Sequence, residues 1–201
     1  MHPHRILILY GTKYGQTAKI TSRVTELLEK NGDIVTHLDA RELSHDVRLD
    51  AYDGVIIGGS IIRGRHQPSV RDYVSNHYLI LNGMPSAFLS VSGSAASPDE
   101  RGRADARRCA EEFLRVTHWR PAIVETVGGA MAFTQYGPLL RWLMKQISKR
   151  SGGPTDTTRD HELTDWSQVQ RFVDQFRDIV DQALLVRALG MSAPGVFHAR
   201  G

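Results

Sequence analysis

Hydrophobic and polar positions follow two alternating patterns along this chain, and these patterns predict strands and helices in turn. Short, nearly continuous apolar runs rich in β-branched residues predict strands that are buried on both faces of a parallel sheet. The five predicted strands lie at 5–10, 33–39, 54–59, 86–91 and 122–133. The second of these is more polar and alternates more strictly, so we expect it to lie nearer an edge of the sheet.

Helical periodicity fills the intervals between the strands. The predicted helices lie at 15–31, 68–82, 99–117 and 165–189. In the first of them Ile20, Val24 and Leu27 recur at helical spacing, and Asn31-Gly32 supplies a stop signal. Five strands that alternate with helices predict an α/β fold, a three-layer sandwich around a five-stranded parallel sheet in the order 2-1-3-4-5.

One connection is longer than this plan requires. After the strand at 122–133 the chain runs through about residues 134–164 before the last helix begins. Long connections in compact domains are usually functional, and this one leaves the carboxyl edge of the sheet, where open α/β folds bind ligands. We therefore expect a single domain over residues 1–189 that carries a functional insertion, followed by a mobile tail over 190–201.

The segment after the first strand, YGTKYGQT at 10–17, has the composition of an anion-binding loop. Its backbone N–H groups can converge at a helix N-terminus, where the helix dipole favours negative charge. The loop has neither the G-x-G-x-x-G pattern of dinucleotide sites nor the G-K-[ST] ending of triphosphate sites, so it predicts a site for a terminal monophosphate. The predicted contacts are Thr12, Lys13, Tyr14, Gly15, Gln16 and Thr17. The alternative is a polar turn that binds nothing.

Two further loops are expected beside the first one. GGSIIRGRH (58–66) follows the third strand and SVSGSAASP (90–98) follows the fourth, and both are rich in glycine and serine. Such loops can offer backbone groups to the edge of a flat heterocycle and apolar side chains to its faces, so the three loops together predict an FMN site. The predicted contacts in these two loops are Ser60, Ile61, Ile62, Arg63, Ser92, Gly93 and Ser94.

The insertion contains a strong helical pattern, PLLRWLMKQISKR at 138–150, with a proline suited to the first turn. Leu139, Leu143 and Ile147 form an apolar stripe, which is widened by Leu140, Trp142 and Met144. Arg141, Lys145 and Lys149 recur every four residues and predict a second, cationic stripe. No acidic residue occurs between residues 136 and 153.

A helix with tryptophan on an apolar side and cations on the other is typical of a membrane-surface element. The same face could hold a flat apolar macrocycle whose carboxylates need cations. The predicted substrate or membrane contacts are Tyr136, Arg141, Trp142, Lys145 and Lys149. The alternative is a surface helix that packs on its own domain and leaves its lysines in solvent.

Composition limits the compartment and the partners. The single cysteine among 201 residues, Cys109, excludes an internal disulfide and fits a reducing compartment, and its helical setting predicts a packing residue. The nine histidines have no metal-ligand spacing, so no metal site is expected.

No apolar run has the length of a membrane span or the layout of a signal peptide, which predicts a cytoplasmic protein. The net charge of +3 and the pI near 9.2 favour an anionic partner such as a carboxylated substrate, lipid headgroups or nucleic acid. Of these, nucleic acid is not expected as a partner.

Five short motifs occur in a fixed order between residues 5 and 176. They are GQT in the phosphate loop, MPSAF (84–88), WRP (119–121), SGGPTDT (151–157) and TDW (164–166). In this set the chain resembles the flavodoxin-like family, and within it the menaquinone-dependent protoporphyrinogen IX dehydrogenases of bacterial haem synthesis. The resemblance implies a flavodoxin-like sandwich that binds FMN, oxidises protoporphyrinogen IX to protoporphyrin IX, and passes electrons to a membrane quinone at the cytoplasmic face of the inner membrane.

Four features depart from that family pattern, two of them being segments, TQYGPLL (134–140) and residues 93–104, which are less basic than the family pattern. The other two are single positions. Gly11 stands where a serine is expected, and an aromatic residue is expected near Arg63, so Ile62 or Arg63 would have to cover the flavin.

Several alternative functions stay open, namely an FMN-dependent quinone reductase, a flavodoxin-type electron carrier, or a binding module without flavin. No catalytic residue is predicted, because the flavin accepts the hydride. The oligomeric state stays open, with a homo-oligomer among the alternatives.

Overall fold

Parallel strands form the centre of the fold in the computed structural model, which describes residues 3–43, 47–150 and 152–190. The strands of the central sheet are β1 Arg5–Gly11, β2 Ile34–Asp39, β3 Gly54–Ile62, β4 Arg65–His66, β5 Ser86–Ser92 and β6 Ile123–Gly128. The five long strands are parallel and lie in the order β2-β1-β3-β5-β6, which confirms the predicted order 2-1-3-4-5. The short β4 pairs antiparallel with the end of β3.

Helices cover both faces of this sheet. They are α1 Gln16–Lys30, α2 Pro68–Leu81, α3 Glu100–Thr117, α4 Pro138–Arg150 and α5 Trp166–Ala188. Side chains of β1 show how the layers divide, because Ile6 and Ile8 pack in a core with α1 and α5, while Leu7 and Leu9 pack in a second core with α2 and α3. The three-layer sandwich is therefore confirmed, and β1 is apolar on both faces because both are covered.

The predicted strand at 122–133 is too long. β6 ends at Gly128, and the chain continues as a two-residue strand, β7 Ala130–Met131, and a 3-10 turn, Phe133–Gln135. β7 pairs antiparallel with β8 His161–Glu162, so the insertion returns to the sheet edge where it began. A single apolar run thus contributes one strand to each of two sheets. The hydrophobic pattern could not show where the first strand ends and the second begins.

The insertion has its own apolar centre beside the carboxyl edge of the sheet. Met131, Ala132, Phe133 and Tyr136 are buried there, and Tyr14, Leu140, Met144 and Leu163 pack against them. Asp160 accepts hydrogen bonds of 2.8 Å from both the backbone N–H and the hydroxyl of Thr134. The long connection is therefore a folded part of the molecule, joined to the phosphate loop through Tyr14.

Two expectations about packing residues can be compared with the structure. The thiol of Cys109 is half-buried on α3, and burial, followed by the charge of Asp105, raises its pKa, which opposes a nucleophilic role. The predicted tail at 190–201 lies outside the described residues except for Gly190.

Candidate functional site

The loop after β1 leaves a set of backbone donors without partners. Gly15 has a left-handed φ of 86° and begins α1 without a side-chain cap. Within the described residues, the backbone N–H groups of Lys13, Tyr14, Gln16 and Thr17 donate to no atom, whereas that of Gly15 donates to Thr12 Oγ1 at 3.0 Å. An uncapped helix N-terminus with several free N–H groups is a site for an anion.

Thr17 adds a buried hydroxyl to this set. Its side chain is fully buried, and its Oγ1 has no hydrogen-bond partner in the described structure. Its methyl group packs toward Gly58 of β3, where an added Cβ would lie 3.2 Å from Thr17 Cγ2. An unpaired buried hydroxyl is costly, and a phosphate oxygen on the free N–H groups would supply the missing partner. The residues present therefore fit the phosphate of a cofactor.

The loop predicted at 58–66 is a β-hairpin, so the predicted end of the third strand at 59 is wrong. Ile61 pairs with His66 and Ile62 with Arg65, and the turn between them is Arg63-Gly64. Both turn residues have positive φ, 51° for Arg63 and 77° for Gly64, as a two-residue hairpin with the right-handed twist requires. Of these two turn residues, only the glycine could be recognised from the sequence as one that favours positive φ. The hairpin holds the exposed Arg63 side chain at its tip, beside the carboxyl edge of the sheet.

Strand register brings the three predicted loops to one edge. Gly11 of β1 lies opposite Gly59 of β3, and Ser60 lies opposite Val91 of β5. At the third loop, Ser92 Oγ accepts a hydrogen bond of 3.1 Å from the N–H of Ala95, which shapes the turn.

The structure also explains the glycine that replaces an expected serine. An added Cβ at Gly11 would lie 2.5 Å from Val70 Cγ2 of α2, which is closer than side chains approach. Because α2 packs so tightly against the end of β1, the missing hydroxyl reflects packing.

The phosphate loop rests on the insertion. The ring of Tyr14 packs edge-on against that of Tyr136, with centroids 5.1 Å apart. Tyr136 is itself buried, accepts a hydrogen bond from the N–H of Ala132, and has a pKa raised chiefly by burial. Tyr136 was predicted to contact substrate, but its position makes it a support for the loop.

The last part of the insertion, residues 161–164, forms hydrogen bonds and an ion pair with α1; we call it the return segment. Gln16 Nε2 donates to Thr164 Oγ1 at 2.9 Å and to Glu162 Oε1 at 3.2 Å, while Lys19 Nζ lies 2.7 Å from Glu162 Oε2. The hydrogen bond from Lys19 is the main cause that lowers the pKa of Glu162. Gln16, predicted as a phosphate donor, is thus bonded to the insertion. Sequence reasoning missed Glu162 and Lys19, although the TDW motif marked the segment beside them.

α4 shows an apolar face to solvent. Leu139, Trp142 and Leu143 are 79%, 60% and 45% exposed, whereas Leu140 and Met144 pack inward on the insertion core. The helix therefore packs on its own domain through part of its apolar surface and leaves the rest exposed, so the alternative of a surface helix with solvated lysines stays open.

The predicted cationic stripe on α4 is incomplete, because Arg141 does not belong to an exposed row. Its guanidinium donates to the carbonyl oxygens of Phe133, Tyr136 and Thr134 at 2.8, 3.1 and 3.3 Å. It therefore holds the 3-10 turn in place. Lys145 and Lys149 are exposed and have no ion-pair partner in the described part of the chain.

His66 lies under the hairpin at the same edge. Its Nε2 is 3.0 Å from Ser90 Oγ, and its ring packs against both Phe88 and Phe113 with centroid distances of 5.1 and 4.8 Å. Burial lowers the pKa of His66 to about 4. The imidazole is therefore neutral at physiological pH and serves packing and hydrogen bonding beside the site.

This shifted pKa predicts a pH dependence of stability. As the pH falls below the ordinary histidine value of 6.5, the unfolded state binds the proton first, because the folded pKa is about 4. The free energy of unfolding is expected to decrease between about pH 6.5 and about pH 4, with His66 contributing about 3 kcal/mol of that loss. Urea unfolding across this window measures it. His66→Gln should have a shallower pH slope than the wild type, and equal slopes would contradict the assignment.

Over residues 3–43, 47–150 and 152–190, no group of three or more histidine, cysteine, aspartate or glutamate side chains is placed to hold a metal ion. Within the same ranges, no helix combines the length and the apolar character needed to cross a bilayer.

Comparison with known proteins agrees with this architecture. Residues 7–158 match the model of the flavodoxin domain family. The protoporphyrinogen IX dehydrogenase (quinone) of Escherichia coli K12 is 33% identical over 181 residues, which cover 90% of this chain and 99% of the relative. The protein of that name from Leishmania major is 31% identical over 172 residues, 86% of this chain and 74% of the relative. The crystal structure of oxidised flavodoxin 1 from Bacillus cereus superposes with a TM-score of 0.54 at 15% identity, covering 87% of this chain and 97% of that one, and shows the shared fold.

The fold and the family match define a protein of the flavodoxin class. Within that class the chain belongs to the family of protoporphyrinogen IX dehydrogenases (quinone), since it is a third identical to curated members over nearly its whole length. It is therefore an oxidoreductase, and the family resemblance of its motifs is confirmed.

Proposed function

We propose that this protein binds FMN and oxidises protoporphyrinogen IX to protoporphyrin IX, with the electrons passed to a membrane quinone. The observation that carries the proposal is the cradle at 12–17, which combines four free backbone N–H groups with the orphaned hydroxyl of Thr17. A single terminal phosphate suits this donor set, and the curated relatives of the chain are named for this reaction.

The residues that would hold the cofactor come from all three loops. The cradle would bind the phosphate through the N–H groups of residues 13, 14, 16 and 17 and through Thr17 Oγ1. Ser60 to Arg63 of the hairpin and Ser92 to Ser94 would line the ring. FMN supplies the hydride-accepting centre when bound, and the chain supplies binding, orientation and exclusion of water.

The exposed face of α4 would place the enzyme at the membrane, where its quinone is dissolved. Trp142, Leu139 and Leu143 would enter the headgroup region, and Lys145 and Lys149 would contact anionic lipids. Binding would thus occur at the cytoplasmic face of the inner membrane, through contact with one leaflet.

Two measurements test the function in sequence. The purified protein should show a flavin absorbance band, and denaturation should release FMN. Anaerobic incubation with protoporphyrinogen IX and a menaquinone analogue should then raise porphyrin fluorescence above the protein-free control. A protein that binds no FMN would refute the proposal. Quinone reduction by other donors without porphyrin formation would instead favour an FMN-dependent quinone reductase.

The membrane contact predicts an effect of charge reversal. Lys145→Glu combined with Lys149→Glu should weaken binding to vesicles that contain anionic lipid about tenfold or more, because each cation near such a surface contributes about 1 kcal/mol. Vesicle co-sedimentation measures this, and FMN occupancy should not change. The matched control is Lys30→Glu at the end of α1, remote from this face. Equal effects of the α4 pair and the control would contradict the assignment.

A further inference from the structure

Gln67 begins α2 but does not cap it. It is the N-cap residue, followed by Pro68, and its side chain makes no hydrogen bond to the first turn of the helix. The amide of Gln67 is directed instead toward the ends of β1 and β3, where its Oε1 lies 3.4 Å from the position that a Cβ on Gly11 would occupy.

At that place the Gln67 amide acts on Ser60. Gln67 Nε2 donates to Ser60 Oγ, while its Oε1 is buried without a partner. Because Ser60 Oγ accepts this bond, the hydroxyl proton of Ser60 is left to donate elsewhere. No acceptor within the described residues takes that proton. Ser60 lies at the carboxyl end of β3, beside β1, which is the point of a sheet of this order where a flavin is bound.

We propose that Gln67 is a positioning residue that fixes Ser60 as a hydrogen-bond donor to the bound cofactor. This inference rests on the proposed function. It adds a hydrogen-bond donor of fixed direction, which the three loops alone do not define. The two carbonyl oxygens and N1 of a flavin ring accept hydrogen bonds, and these atoms are more electron-rich when the ring is reduced, so a donor to one of them is the case proposed. A fixed donor therefore binds the reduced cofactor more tightly than the oxidised one.

The test compares affinities for oxidised and reduced FMN. Gln67→Met keeps the length of the side chain but cannot donate, and Ser60→Ala removes the hydroxyl. Each variant should raise the ratio of the reduced to the oxidised dissociation constant about tenfold, which corresponds to a midpoint potential about 30 mV lower for a two-electron couple. Fluorescence titration with FMN and equilibration with a reference dye measure the two quantities.

The double variant decides whether Gln67 acts through Ser60. Gln67→Met with Ser60→Ala should have no larger effect than Ser60→Ala alone, because one donor is lost in both cases. Gln67→Glu, whose carboxylate accepts the Ser60 proton, should match Ser60→Ala and serves if the methionine variant folds poorly. Gln170→Met on the exposed side of α5 is the matched control and should leave the ratio unchanged.

The possible failures are distinct. Additive effects, or an unchanged ratio in Gln67→Met, would overturn the inference and leave FMN binding intact. A wild-type protein without affinity for FMN would overturn the proposed function and this inference with it.

Discussion

Replacing Thr17 by valine is expected to weaken FMN binding about 10- to 100-fold without destabilising the free protein. The hydroxyl of Thr17 is buried and unpaired, so its removal relieves a cost of about 1 kcal/mol in the free protein. In the complex the same hydroxyl would donate to a charged phosphate, and such a bond contributes about 1.5–3 kcal/mol. The substitution should thus separate binding from stability.

Two titrations check this result. FMN affinity follows from quenching of flavin fluorescence, and stability follows from urea unfolding of the apoprotein. Thr25→Val is the matched control, because Thr25 lies two turns further along α1 and its hydroxyl donates to the Thr21 carbonyl at 3.0 Å. It should leave FMN affinity unchanged. A Thr17→Val protein that binds FMN as tightly as the wild type would show that the Thr17 hydroxyl does not bind the phosphate.

Replacing Gly128 by alanine is expected to destabilise the fold by about 1–3 kcal/mol, because the new methyl group has no space. A Cβ at this position would lie 2.3 Å from the carbonyl oxygen of Leu163 and 2.8 Å from Ala96 Cβ. The return segment would have to move, and the hydrogen bond of 2.7 Å from Thr164 Oγ1 to the Gly128 carbonyl would be strained. Thr164 also accepts a hydrogen bond from Gln16 of the loop proposed to bind the phosphate, so the affinity for FMN should fall as well.

Gly137→Ala provides the comparison for this substitution. Gly137 precedes α4, has no atom within 4 Å of an added Cβ, and does not have a left-handed φ. Its replacement should change the free energy of unfolding by less than about 0.5 kcal/mol. Urea unfolding of both variants measures the difference. If Gly128→Ala were as stable as Gly137→Ala, the insertion would not be held against the sheet edge as described.

Local patterns were sufficient for most of the secondary structure. The helix at 68–82 is found as Pro68–Leu81, and that at 99–117 as Glu100–Thr117. These limits could be predicted because proline, acidic caps and apolar periodicity act within a few residues of one another. The limits of the fifth strand could not be predicted, since β6 ends at Gly128, where the backbone of Leu163, 35 positions later, leaves no space for a side chain.

The same distinction holds for the candidate site, where some features depend on one short segment and others depend on the folded structure. The composition of residues 12–17 was enough to predict an anion cradle, because its donors belong to one short segment. The tasks of Gln16, Tyr136 and Arg141 could not be predicted, since each depends on a partner brought close by folding. Gln16 bonds to the return segment, Tyr136 supports Tyr14, and Arg141 binds carbonyl oxygens of the 3-10 turn.

The sequence by itself therefore determined the order of strands and helices, the flavodoxin class and the segment that would hold a phosphate. The order of elements follows from periodicity, the class from the resemblance of five ordered motifs, and the predicted phosphate segment from donors that are neighbours along the chain. Only the tertiary structure decided that Thr17 carries the orphaned hydroxyl and that Gln67 turns toward Ser60. It also decided that α4 exposes Trp142 while it uses Arg141 internally. The physical reason is that burial and hydrogen-bond partners are set by residues distant in sequence, which no local pattern encodes.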